Sequence, residues 1–245
     1  MQGILEWLPV SSEGQISILL AGPLEVPPEE AISIALWLHI GTALAALFYL
    51  RRDVAQIIKS ILAGGDRRLA VFVVVGTAFT AISGFPAYVA AMKVGTLIEL
   101  SFLTPALLLV VGALIAISQR LSDRSPPGPV RAGAVAGILQ GLAAIPGISR
   151  SGITFAGLAL LGFDAEDALR YSFLLSIPAS LGAAVLTASE GVVDCGPSLA
   201  AAAVASFASG VAVMHGMLKI VRRVGLARFA ITFGVIGIML ALLMR

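Results

Sequence analysis

Residues 140–154 read QGLAAIPGISRSGIT, an apolar run that a proline and a glycine interrupt and that carries one charge, Arg150. A guanidinium within hydrocarbon costs at least about 2.5–3.5 kcal/mol, so Arg150 requires an anion or a polar cavity. Snorkelling to headgroups from a hairpin tip at the interface is the alternative. Ser149, Ser151 and Thr154 surround it with hydrogen-bond donors, which favours a binding role. Pro146 and Gly147 would end one helix, and a new helix starting near Ser149 would present free N–H groups and a positive dipole end to an anion such as phosphate.

The remainder of the chain places this run in a membrane. Of the 245 residues, 58% are hydrophobic and 12% charged, and the mean hydropathy is +1.00, too apolar for a soluble domain of this size. Runs near 31–50, 69–90, 100–118, 168–188, 198–217 and 226–244 reach the length of about 20 residues needed to cross a bilayer. Backbone groups in lipid must pair within their own segment, and no alternation of barrel strands is visible, so the expected class is an all-α integral membrane protein. Arginines and lysines cluster in three loops, at 51–68, 120–131 and 219–228, whereas the segments at 23–30 and 189–197 carry only acids. The positive-inside rule puts the basic loops in the cytoplasm. The net charge of +2 comes from these loops, which argues against a nucleic-acid partner. Cys195 is the single cysteine, which excludes an intramolecular disulfide. The first residues lack a basic leader, so no cleavable signal peptide is expected.

With that orientation, the stretches near 1–22 and 130–161 must each begin and end on one side. Each is broken by proline, at Pro9 and at Pro146-Gly147, and reads as a re-entrant hairpin of two half-helices. The two hairpins are alike. QGILEWLPVSSEGQ, from Gln2, sets Gln2, Gly3, Ser11 and Gly14 against Gln140, Gly141, Ser149 and Gly152. Three spans separate the copies, and an odd number inverts the second relative to the first. The expectation is one membrane domain, residues 1–245, built as an inverted-topology repeat. Each half, at about 1–120 and about 130–245, is a hairpin followed by three transmembrane helices.

On the first hairpin, Glu6 follows Gln2 by four residues and shares its helix face. Ser11, Ser12, Glu13 and Gln15 come directly after Pro9. A carboxylate beside hydroxyls can hold a divalent cation against phosphate oxygens or accept a proton from a nucleophile. Helix capping accounts equally for the two serines, and Glu13 reads as an exposed turn residue.

The paired segments QGILEWLPVSSEGQ and LQGLAAIPGISRSGIT resemble the undecaprenyl-diphosphate phosphatase family, known for bacitracin resistance. The resemblance continues through HIGTALA at 39–45 and YSFLLSIPASLGA at 171–183, and so covers nearly the whole chain. It implies a plasma-membrane phosphatase that removes the terminal phosphate of a polyprenyl diphosphate on the outer face and recycles the lipid carrier of cell-envelope glycans. Carried over by position, Gln2 and Glu6 match the family's E/QxxxE pair, Ser11 and Ser12 its serine pair, and Ser149, Arg150, Ser151 and Thr154 its PGxSRSxxT motif. The implied roles are diphosphate binding for Arg150, binding of Mg²⁺ or Ca²⁺ for Glu6, and phosphoryl transfer for the first-motif serine.

Two departures stand out. Gln15 occupies the family's histidine position, and an amide takes up no proton near neutral pH. That leaves either Glu6 as base for Ser12 or direct attack by a metal-bound water. His39 is a substitute, although a hydrogen-bonded helix-packing role is the favoured reading for it. The chain also starts almost at the first motif, where the family carries a preceding apolar half-helix. The working reading is that Arg150 and the half-helix end grip the diphosphate and Glu6 holds the cation. Ser12 attacks, while Gln2, Ser11, Gln15, Ser149, Ser151 and Thr154 orient groups by hydrogen bonds. Membrane lipids surround the prenyl tail, and a homodimer is left open. The readings from other classes are a flippase for the carrier lipid, since transporters share broken helices and inverted repeats, and an inactive lipid-binding relative.

Overall fold

The computed structural model describes residues 1–8, 12–94, 125–145, 148–190 and 196–224, with scattered positions between 106 and 117 and between 227 and 239. Its regular elements among these residues are all helices. Four helical stretches are long and apolar enough to cross a membrane: Glu30–Tyr49, Arg68–Ala90, Ala165–Val185 and Pro197–Ile220. They coincide with four of the expected spans; those expected at 100–118 and 226–244 lie largely outside the described residues. The chain is a helical membrane protein.

The first arm is short, α1 (Gln2–Leu5), and is followed by α2 (Ser12–Ala21). The break expected at Pro9 lies outside the described residues. The first span consists of α3 (Pro28–Trp37) and α4 (His39–Tyr49), separated only by Leu38. Then come α5 (Arg51–Leu62), a helix carrying three of the chain's basic residues, and α6 (Arg68–Val94), a long helix that runs through Pro86. In the second half, α7 (Pro129–Leu142) and α8 (Arg150–Leu160) flank the expected Pro146-Gly147 break, itself outside the described residues. Helix α8 ends at Gly162, φ 94°. There the Gly162 and Phe163 N–H groups donate to the Ala159 and Leu158 carbonyls, a left-handed C-terminal turn that glycine adopts without strain. It redirects the chain into α9 (Ala165–Glu190), which α10 (Pro197–Val224) follows.

Small residues let backbones approach closely where no hydrophobic effect drives helices together. Helix α6 packs along α7, with Gly137 against the Gly76 carbonyl and Thr80 Oγ1 donating to the Gly137 carbonyl at 3.2 Å. Helix α10 packs against α4 and α1. The two glycine contacts correspond atom for atom. A Cβ on Gly3 would strike the Ser206 carbonyl, Ser209 Oγ and the Gly210 nitrogen. A Cβ on Gly141 would strike the Thr80 carbonyl, Ser83 Oγ and the Gly84 nitrogen. Larger side chains fill the centre, where Trp7 meets Phe173 edge-on at 4.8 Å between ring centroids and Phe72, Phe155, Leu158, Leu174 and Met214 pack around them.

Candidate active site

The site forms where the first arm meets α2 and α8. Glu6 caps the C-terminus of α1 and is only 5% exposed. A carboxylate so buried must have every lone pair engaged, and here both oxygens are. Oε1 pairs with Arg150 Nη2. Oε2 accepts from Ser12 Oγ at 2.5 Å and from Gln2 Nε2 at 3.0 Å. Arg150 begins α8, and its other terminal nitrogen, Nη1, donates to Ser180 Oγ at 2.7 Å. The guanidinium is thus held at two points, by a carboxylate from the first half and a hydroxyl from α9. Ser149 is the N-cap of α8, its hydroxyl accepting from the Gly152 N–H at 3.3 Å. Ser151 Oγ reaches across to the Leu8 carbonyl at 3.3 Å, tying α8 to the chain just after α1.

Glu6, Ser12, Glu13, Ile148, Ser149 and Arg150 line a small pocket. Of the residues singled out in the sequence, Gln2, Glu6, Ser12, Ser149, Arg150 and Ser151 therefore gather here. Gln15, half-buried on α2, does not line this pocket. Thr154 lies one turn into α8, fully buried, and its hydroxyl has no hydrogen-bond partner among the described residues. Ser11 lies outside the described residues.

Glu13 and His39 take a larger part than the sequence indicates, and Ser180 joins them. Glu13 is not an exposed turn residue: it sits half-buried in the first turn of α2 and lines the pocket. His39 does pack between helices, with Nδ1 2.9 Å from the Ala35 carbonyl, but that bond accounts for only one ring nitrogen. Nε2 faces two carboxylates, Glu6 at 3.2 Å and Glu13 at 3.3 Å. Since Nδ1 donates to Ala35, Nε2 is the nitrogen directed at the acids. The available signals were faint: Glu13 adjoins Ser12, and His39 and Ser180 are polar residues inside apolar spans. Only the packing of α4 and α9 against the arms brings them in.

Among the described residues no set of three His, Cys, Asp or Glu side chains has the arrangement of a dedicated metal cage. Magnesium seldom uses one: it is usually held by one or two carboxylates together with substrate phosphates. Glu6 and Glu13, hard oxygen donors on one pocket wall, meet that weaker requirement.

The chain is similar to known proteins along almost its whole length. The family profile described as bacitracin resistance protein BacA matches residues 1–239. A protein of Haloarcula marismortui named undecaprenyl-diphosphatase is 38% identical over 259 aligned residues, spanning 99% of this chain and 94% of that one. Proteins of the same name from Methanopyrus kandleri, at 36% identity (99% and 93% covered), and Methanococcoides burtonii, at 35% (98% and 94% covered), align over similar lengths. With a match along almost its whole length and a paired Glu6–Arg150 site assembled from the two motif segments, this chain belongs to the BacA family.

Proposed function

We propose that the protein hydrolyses an undecaprenyl-type diphosphate to the monophosphate and inorganic phosphate, returning the lipid carrier used for cell-envelope glycans. The observation that carries the reading is the union of Ser12, Glu6 and Arg150 in one pocket, from segments up to 144 residues apart. A buried guanidinium paired with a carboxylate is a poor source of stability but a ready receptor for an anion of higher charge. The diphosphate takes Glu6's place at Arg150 Nη2, while Ser180 keeps Nη1 fixed. Ser149 and the first turn of α8 contribute N–H donors to the same oxygens.

Ser12 Oγ already donates its proton to Glu6 Oε2. In the transfer, the Ser12 oxygen forms a bond to the terminal phosphorus and its proton passes to Glu6. The bridging P–O bond breaks with the electron pair leaving on the prenyl monophosphate. Water then cleaves the phosphoserine, and Glu6 acts in the reverse sense. Gln2 fixes the carboxylate at 3.0 Å, and His39 Nε2 lies 3.2 Å from Glu6 and 3.3 Å from Glu13. Gln15 in place of the family's histidine is compatible with this assignment, because the base is Glu6. Mg²⁺ or Ca²⁺, held by Glu6 and Glu13, would supply neutralising charge to the diphosphate oxygens.

The same reading treats residues 1–245 as one domain of two inverted halves, each a re-entrant hairpin and three spans. The reciprocal glycine contacts support it. The first arm of each hairpin packs on the second span of the opposite half through the same three atoms, as a pseudo-two-fold axis requires. It also sets the catalytic pocket toward the outer face of the plasma membrane. Phosphate release from a polyprenyl diphosphate by the purified protein tests the function. Release that is metal-dependent and abolished in Arg150→Ala supports hydrolysis, whereas lipid translocation between leaflets without release would replace it with transport.

A further inference from the structure

A second concave surface lies away from the catalytic pocket, between α4 and α10. Gly41 lets the two helices touch, since a Cβ there would strike the Ala203 carbonyl. Beside that contact, Leu44, Leu47 and Phe48 of α4 and Val204 and Phe207 of α10 line a cavity of about 540 Å³, within the range of small-molecule sites. The lining is apolar except at one end, where Arg51 closes it. From Gly41 to Phe48 the helical rise spans roughly 10 Å, so the cavity is elongated along the membrane normal. Leu44, Leu47, Phe48 and Val204 are all exposed. Arg51 lies over the Phe48 ring, with Cζ 5.2 Å from its centroid, and donates to the Phe48 carbonyl at 3.0 Å. Only one of its terminal nitrogens is engaged by that bond, and Arg52 beside it is exposed. The nearest acid, Asp53, is already paired with Arg170. A long apolar slot ending in a guanidinium has the form of an amphiphile with an anionic head.

We infer that this groove is a site for an anionic membrane phospholipid, its chain lying along α4 and α10 and its phosphate at Arg51. Charge complementarity carries the choice: among the described residues that line the slot, Arg51 is the one charged side chain. The site is independent of the hydrolytic pocket.

Native mass spectrometry of the full chain in detergent, titrated with phosphatidylglycerol or phosphatidylcholine, tests it. The expected result is a one-lipid adduct that favours phosphatidylglycerol. Because each basic residue at an anionic surface contributes modestly, Arg51→Gln should lower that preference about fivefold. Val204→Trp, which fills the slot from an exposed position, should weaken binding of both lipids while leaving the helical circular dichroism unchanged. Equal affinity for the two lipids, or phosphatidylglycerol binding that neither substitution alters, overturns the inference. So does a two-chain species abolished by Val204→Trp in place of the lipid adduct, which would make the groove an interface between copies.

Discussion

Glu6 is the residue on which the site turns, because four side chains from four helices converge on its two oxygens. Its replacement by Gln keeps the shape and removes the charge, leaving Arg150 buried without its counterion. Breaking a buried pair in this way costs about 3–5 kcal/mol in soluble proteins. Glu6→Gln should therefore lose both phosphate release and thermal stability, measurable by turnover and by melting in detergent. Ser12→Ala removes only a hydroxyl that donates outward from α2. It should leave melting nearly unchanged, abolish turnover and prevent trapping of labelled phosphate on the protein. Arg150→Lys separates charge from geometry. A single ammonium cannot meet both Ser180 and the diphosphate as the planar fork does, and losing one preorganised donor costs about 10²–10³ in rate. A fall of that size, with the fold intact, is the expected outcome.

At the scale of elements, the arms are held by glycine contacts. Gly3→Ala would drive a methyl into the Ser206 carbonyl on α10, and Gly141→Ala would drive one into Ser83 and Gly84 on α6. Backbone obstacles do not move aside as side chains do, and overpacking of this kind costs about 1–3 kcal/mol. Since the two contacts use the same atoms, the two substitutions should lower the melting temperature by similar amounts. A large effect of one with none of the other would count against equivalent halves. The apolar runs and their loops made four membrane-crossing helices readable directly, because crossing lipid dictates length and composition. The division of the first span at Leu38 into α3 and α4 was not readable, since no proline or glycine marks it.

Across the molecule, two ion pairs among the described residues join the first half of the chain to the second. Glu6–Arg150 lies within the pocket, and Asp53–Arg170 links α5 to α9. Arg170 is 39% exposed, so water screens its pair and a contribution of at most about 1 kcal/mol is expected. Double-mutant cycles on melting should accordingly give strong coupling for Glu6 with Arg150 and weak coupling for Asp53 with Arg170.

The chain's own letters determine that it lives in a membrane, that two broken segments resemble one another, and that Arg150 needs an anionic partner. These follow from local composition and from the high cost of charge in lipid, which leave little freedom. That Glu13, His39 and Ser180 would join Glu6 and Arg150, only tertiary structure decided. Those contacts depend on how α4 and α9 pack against the arms, and that depends on steric fit between residues more than a hundred positions apart. Spacing along the chain carries no record of such a fit.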